Sequence, residues 1–191
     1  MFISTTMTTF RGFIAVEIPV NDKIQTFHDE LSRLPTKIKL VEPDNIHITL
    51  KFLGETKKEH IADIQQIMKT SVQGLKPWNI RLQGTGVFPN NNYIKIIWIG
   101  IEQIGNLAEI SKVLNLETAT LGYKKEKRGF KAHLTIGRVN NAVGKNELIA
   151  VIDQYKDTNF NEVLIDKIML KKSTLTPKGP IYETISTVHL S

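Results

Sequence analysis

An α+β fold is predicted, with two antiparallel sheets facing each other across a central cleft and helices packed outside. Three observations predict it. Strand-like runs alternate along the chain with stretches whose apolar residues recur at helical spacing. The pattern His-x-Thr-x, with an aliphatic residue at each x, occurs at His47–Leu50 and again at His133–Ile136. The two copies lie close to half the chain apart, and each precedes a helix and then a long strand, as a duplicated lobe would leave them.

Taken in order, Gly12 to Ile18 is a β-rich run closed by Pro19 and reads as the first strand. Asn21 or Asp22 caps a helix to about Leu34, with Ile24, Phe27, His28 and Leu31 near one face, so His28 reads as a core or boundary residue. Lys37 to Val41 is a short strand and Glu42 to Asn45 is turn chemistry. The first motif strand then runs from about Ile46 to Leu53 and stops at Gly54. Thr56 with Glu59 forms a capping box for a second helix, striped by Ile61, Ile64, Ile67 and Met68; His60 falls off that stripe and reads as solvated. Strands at Trp78–Val87 and Tyr93–Ile101 are joined by a hairpin loop over Phe88–Asn92. A third helix, Ile104 to Leu121, ends at Gly122, and Lys124 to Arg128 is a solvated charged loop. The second motif strand is Ala132–Val139, followed by a helix from Gly144 to about Tyr155 and a strand from Val163 to Lys171. A turn at Thr176–Pro180 leads into the last strand, Ile181–Leu190.

At 191 residues, 41% of them hydrophobic, the chain is expected to form one domain with a substantial core, preceded by a flexible extension over residues 1–10. That extension lacks the basic start and apolar core of a signal peptide, and no apolar run approaches the length needed to span a bilayer; a soluble, cytoplasmic monomer is expected. The absence of cysteine excludes disulfides, thiolate metal sites and a cysteine nucleophile. A net charge of +6 suits a polyanionic partner such as RNA, and equally an ordinary basic enzyme.

The motif pair carries the chemistry. Residues i and i+2 of a strand share a face, so each copy presents one imidazole and one hydroxyl on one side and buries its aliphatic residues on the other. Converging, His47, Thr49, His133 and Thr135 could hold one small anion. Were that anion a phosphodiester, one histidine could take a proton from water and the other give one to the departing oxygen, while the threonines donate to the non-bridging oxygens. Metal chemistry is poorly provided for: no His-Glu-x-x-His pattern occurs and neither motif has a neighbouring carboxylate. No Gly-x-Ser-x-Gly elbow supports a serine triad either.

These residues resemble the 2H phosphoesterase superfamily, whose hallmark is the paired HXTX motif. The flanks resemble its RNA 2′,3′-cyclic phosphodiesterase branch, also called the 2′-5′ RNA ligase family. They are Arg11–Val16, Asn45–Glu55, Gly86–Pro89, Trp98–Gly100 and Lys171–Tyr182. The resemblance implies a bilobal, pseudo-twofold fold and metal- and cofactor-independent opening of RNA 2′,3′-cyclic phosphate ends, tRNA fragments among them, to a 2′-phosphomonoester. It implies His47 as proton donor, His133 as proton acceptor, and Thr49 and Thr135 as phosphate-holding residues. Some members also join 2′-5′ linkages in RNA. The arginine five residues after the second histidine, Arg138, is implied as a phosphate contact, although strand parity places it opposite His133 unless the strand bulges near Gly137. Phe52, at the equivalent place after the first histidine, reads as core. Phe13 and Tyr182 are candidates to stack on a base. The chain departs from the bacterial pattern Arg-Pro-Phe-x-Pro-His in reading Arg128-Gly-Phe-Lys-Ala-His133.

Two rival functions remain open from sequence: a non-catalytic module holding RNA ends, and a phosphodiesterase for small cyclic nucleotides.

Overall fold

The computed structural model describes residues 8–141, 143–177 and 179–191. Its strands are β1 (Thr9–Glu17), β2 (Ile38–Leu40), β3 (His47–Lys57), β4 (Trp78–Asn90), β5 (Tyr93–Glu102), β6 (His133–Val139), β7 (Asn159–Ile165), β8 (Lys167–Thr176) and β9 (Gly179–His189). The helices are α1 (Asp22–Ser32), α2 (Ile61–Ser71), α3 (Gly105–Glu117) and α4 (Lys145–Gln154). The strands form a four-stranded sheet, β3-β1-β8-β9, and a five-stranded sheet, β2-β6-β5-β4-β7, with every pairing antiparallel. The first motif thus lies on the edge strand β3, and the second on β6.

The duplication is visible in this order. Each motif strand pairs with the strand that opens its half, β3 with β1 and β6 with β5. The helices are exchanged between lobes. After leaving β1, α1 packs on the five-stranded sheet with α4, where Phe27 meets Phe160 of β7; after leaving β5, α3 packs on β3 beside α2. The exchange follows from the apolar faces: Ile24, Phe27 and Leu31 of α1 and Leu107, Ile110 and Leu114 of α3 are all fully or nearly fully buried. Asn21 serves both halves, accepting from the amides of Lys23 and Ile24 as the N-cap and donating to the carbonyl of Phe160 (2.7 Å).

Several boundaries differ from the sequence-based expectation. Thr9 and Phe10, assigned there to an N-terminal extension, pair in β1 with Lys57 and Thr56; residues 1–7 lie outside the described residues. The expected stop at Gly54 is a bend that the strand passes through, using the left-handed conformation glycine permits (φ 76°). Thr56 is therefore a buried strand residue whose hydroxyl donates to the Gly54 carbonyl, and the expected capping box does not form. One expected strand over Val163–Lys171 is two, β7 and β8, because Asp166 turns the chain between them. No helix among the described residues is long and apolar enough to cross a membrane.

Candidate active site

β3 and β6 face each other across a cleft of about 850 Å³, and it brings together all seven residues expected at the site: His47, Thr49, His133, Thr135, Arg138, Phe13 and Tyr182. Alternation along each strand buries Ile48, Leu50, Leu134 and Ile136 in the core and turns the polar pairs into the cleft.

Both histidines are oriented by backbone carbonyls. The Nδ1–H of His47 donates to the Asn45 carbonyl at 2.7 Å, and that of His133 donates to the Lys131 carbonyl at 2.7 Å. A carbonyl only accepts, so Nδ1 carries a proton in each ring and Nε2 is left free for chemistry. Thr49 Oγ1 lies 3.0 Å from His47 Nε2, close enough for hydroxyl and imidazole to serve one bound oxygen together.

Aromatic contacts brace the rings. Phe13, 3% exposed, packs against His47 with ring centres 5.0 Å apart, and Tyr182 stands edge-on to both, 4.9 Å from Phe13 and 5.4 Å from His47. Phe13 therefore presents to the cleft little beyond the wall it gives His47. Phe88 stands edge-on to His133 at 5.2 Å.

Electrostatics distinguish the two halves. Burial pushes the His47 imidazole below the ordinary histidine value; the Asn45 carbonyl counters, Lys171 lowers it further, Glu17 raises it, and charge on His133 lowers it. Lys171, 7% exposed, bonds the Glu17 carboxylate and the Thr184 hydroxyl (3.0 Å). Glu17 is the cross-strand partner of His47, so the charged pair sits beside it on the same sheet. Burial raises the Tyr182 phenol above its usual range, with Arg138 and then Arg11 pulling it back. Among the described residues no three histidine, aspartate or glutamate side chains are grouped as metal ligands.

Strand parity is resolved by a bulge on each motif strand. In β6 Thr135 opposes Trp98 and Gly137 opposes Ile97, so Ile136 is the extra residue. The inserted residue reverses the alternation, and Arg138 faces the cleft with His133 and Thr135. β3 repeats the device: Thr49 opposes Ala15 and Lys51 opposes Ile14, leaving Leu50 as the extra residue. Phe52, expected as core, accordingly lines the cleft and is 43% exposed. Lys51 turns inward instead, 1% exposed, where its ammonium donates to the Lys124 carbonyl (2.7 Å) and Asn115 Oδ1 (3.0 Å). Apolar neighbours in sequence hid Phe52; its position five residues after a motif histidine, like that of Arg138, was the available signal. His60, expected to be solvated, is bonded through Nδ1 to the Tyr123 hydroxyl (3.0 Å).

A family model described as LigT-like phosphoesterase matches residues 14–98 and again residues 99–182, one motif in each match. The chain belongs to the LigT-like phosphoesterase family. Relatives of this phosphoesterase include a protein of Methanocaldococcus jannaschii named RNA 2′,3′-cyclic phosphodiesterase, 45% identical over 92% of this chain and 98% of that one. Another of that name, from Archaeoglobus fulgidus, is 37% identical over 92% of this chain and 97% of its own length. A crystal structure from Thermus thermophilus superposes with a TM-score of 0.80 at 25% identity, covering 94% of this chain and 97% of that one. E. coli LigT, crystallised with 3′-AMP, shares the fold with a TM-score of 0.76 at 21% identity, over 96% of this chain and 99% of its own.

Proposed function

We propose that this LigT-like phosphoesterase opens 2′,3′-cyclic phosphate ends of RNA by hydrolysis to a 2′-phosphomonoester. The observation that carries the reading is the paired histidines, each with Nδ1–H spent on a backbone carbonyl and Nε2 turned into one cleft. Relatives bearing the name RNA 2′,3′-cyclic phosphodiesterase support the substrate class.

In this scheme His133 Nε2 takes a proton from water as the water oxygen forms its bond to phosphorus. The bond from phosphorus to the 3′ oxygen breaks, and protonated His47 Nε2 delivers its proton to that oxygen. Thr49 and Thr135 donate to the non-bridging oxygens, whose charge grows in the transition state, and Arg138 supplies a fixed positive charge beside them. His47 must enter protonated although burial opposes its charge. The bound phosphate anion provides the compensating charge, so the donor is armed when substrate arrives.

The test incubates the protein, with EDTA present, with an oligoribonucleotide ending in a 2′,3′-cyclic phosphate. A 2′-phosphate product is expected. Binding without turnover would identify an RNA-end-holding module, a 3′-phosphate would reverse the departing oxygen, and loss of activity in EDTA would overturn the metal-free scheme.

A further inference from the structure

His47 takes its orientation from the Asn45 carbonyl, and the residue that steadies Asn45 lies near the other end of the chain. Asn45 closes a single 3-10 turn, Pro43–Asn45, between β2 and β3. Inside it the Asn45 amide donates to the Glu42 carbonyl (2.8 Å) and the Ile46 amide to that of Pro43 (3.2 Å). One isolated 3-10 turn is weakly held by its own bonds, because their geometry is poor. The Asn45 side chain adds a tie from outside. Its Nδ2 donates to the carbonyl of Pro180 in β9, 3.2 Å away and 135 residues on. A carbonyl only accepts, so the carboxamide must turn Nδ2 towards Pro180.

The receiving end is itself firm. At the tip of the β8–β9 hairpin, Thr176 Oγ1 donates to the Gly179 carbonyl (2.6 Å) and accepts from the Gly179 amide (3.2 Å). Two residues beyond Pro180, Tyr182 stands edge-on to His47. The hairpin thus meets the histidine twice, once at the ring and once through the carbonyl that aims it. In the second lobe, the carbonyl that aims His133 belongs to Lys131, an exposed residue with an ammonium where Asn45 has a carboxamide.

We propose that Asn45 is a positioning residue for the reaction: by tying its turn to Pro180 of the β8–β9 hairpin, it holds His47 Nε2 on the departing oxygen. The carboxamide acts through the backbone. It fixes the peptide between Asn45 and Ile46, that peptide's carbonyl fixes the Nδ1–H, and the ring then points Nε2 one way. With the tie gone the turn can roll and the ring follows, and a misaimed general acid loses rate without losing substrate. Ser173, Leu175, Gly179 and Pro180 of the same hairpin line the cleft, so one wall of the site and the proton donor share one anchor.

This role rests on the hydrolytic reading above, and the experiment separates the two. Asn45→Ala removes the tie, and Asn45→Asp keeps the shape but sets an oxygen against the Pro180 carbonyl. On an oligoribonucleotide ending in a 2′,3′-cyclic phosphate, each should lower kcat about 10- to 100-fold with KM within about twofold of wild type. In a His47→Ala background, Asn45→Ala should cost nothing further, since the ring it aims is gone. NMR of isotope-labelled histidine reads the aim without turnover: His47 should be one tautomer, protonated on Nδ1, in the wild type and a mixture in Asn45→Ala. If the tautomers change in this way but the wild type opens no cyclic phosphate, the positioning role stands and the hydrolytic reading falls. An unchanged kcat in both variants, or an equal loss with and without His47, overturns the positioning role and leaves the hydrolytic reading intact.

Discussion

His47 and His133 are held by the same device, an Nδ1–H bonded at 2.7 Å to the carbonyl two residues earlier in the chain. The bond selects the tautomer and aims Nε2, so neither ring needs a carboxylate partner to be positioned. In the proposed scheme, equal mounting with unequal surroundings lets two like residues take opposite proton-transfer roles.

Replacing either histidine by alanine should lower kcat on a cyclic-phosphate end by about 10²- to 10⁴-fold, the range of a lost general acid or base. Steady-state kinetics beside circular dichroism will check it. An alanine variant that keeps full rate would falsify paired acid–base catalysis.

Thr49→Val and Thr135→Val remove the hydroxyls that the proposed scheme directs at the phosphate while keeping a β-branched shape. Each should reduce kcat by roughly 10²-fold, as loss of one oxyanion donor does. Thr49→Val also takes away the neighbour 3.0 Å from His47 Nε2, so its pH profile should shift as well as its rate. Parallel profiles for both variants would count against a shared role for Thr49 and His47.

His47 has a folded-state pKa below the ordinary histidine value of 6.5, with burial as the main cause. If it is the donor, the alkaline limb of kcat/KM reports the free protein and should lie below 6.5, whereas on kcat the bound anion should move that limb upward. Stability follows the same sign. The neutral ring's contribution is complete above 6.5 and is lost as pH falls through the lowered folded value, because the unfolded chain binds the proton more readily. Chemical denaturation between about pH 7 and pH 5 should show a stability slope that His47→Asn flattens.

Gly137 pairs with Leu40 of the neighbouring strand β2, where a Cβ would meet Ile38 Cγ2 at 2.8 Å and Leu40 Cδ2 at 3.2 Å. Gly137→Ala should therefore push β2 outward, costing about 1–3 kcal/mol, and should disturb Arg138 next to it. A lower melting temperature together with a raised KM is expected. Normal KM in a destabilised variant would detach Arg138 from substrate binding.

Lys51→Met buries an apolar chain of similar length where the ammonium now ties the Lys124 carbonyl and Asn115. Asn115 Oδ1 keeps the Glu126 amide (2.8 Å), but leaving the Lys124 carbonyl unpaired should cost about 1–3 kcal/mol. Limited proteolysis should then cut the 124–131 segment faster than in the wild type.

Much of this molecule was legible in its sequence because it depends on local rules. Residues two apart on a strand share a face, so His47 with Thr49 and His133 with Thr135 could be paired from the chain alone. The absence of cysteine and the spacing of the two motifs likewise depend on nothing beyond the chain itself. Tertiary structure decided what one extra residue does. The bulges at Leu50 and Ile136 exist only because β1 and β5 lie alongside, and they move Arg138 and Phe52 into the cleft while sending Lys51 inward. The environment of His47 is likewise tertiary: Lys171 and Tyr182 come from the far end of the chain, and burial among them sets the cost of its charge. Parity is local and travels with the sequence; register and desolvation arise only when distant strands meet.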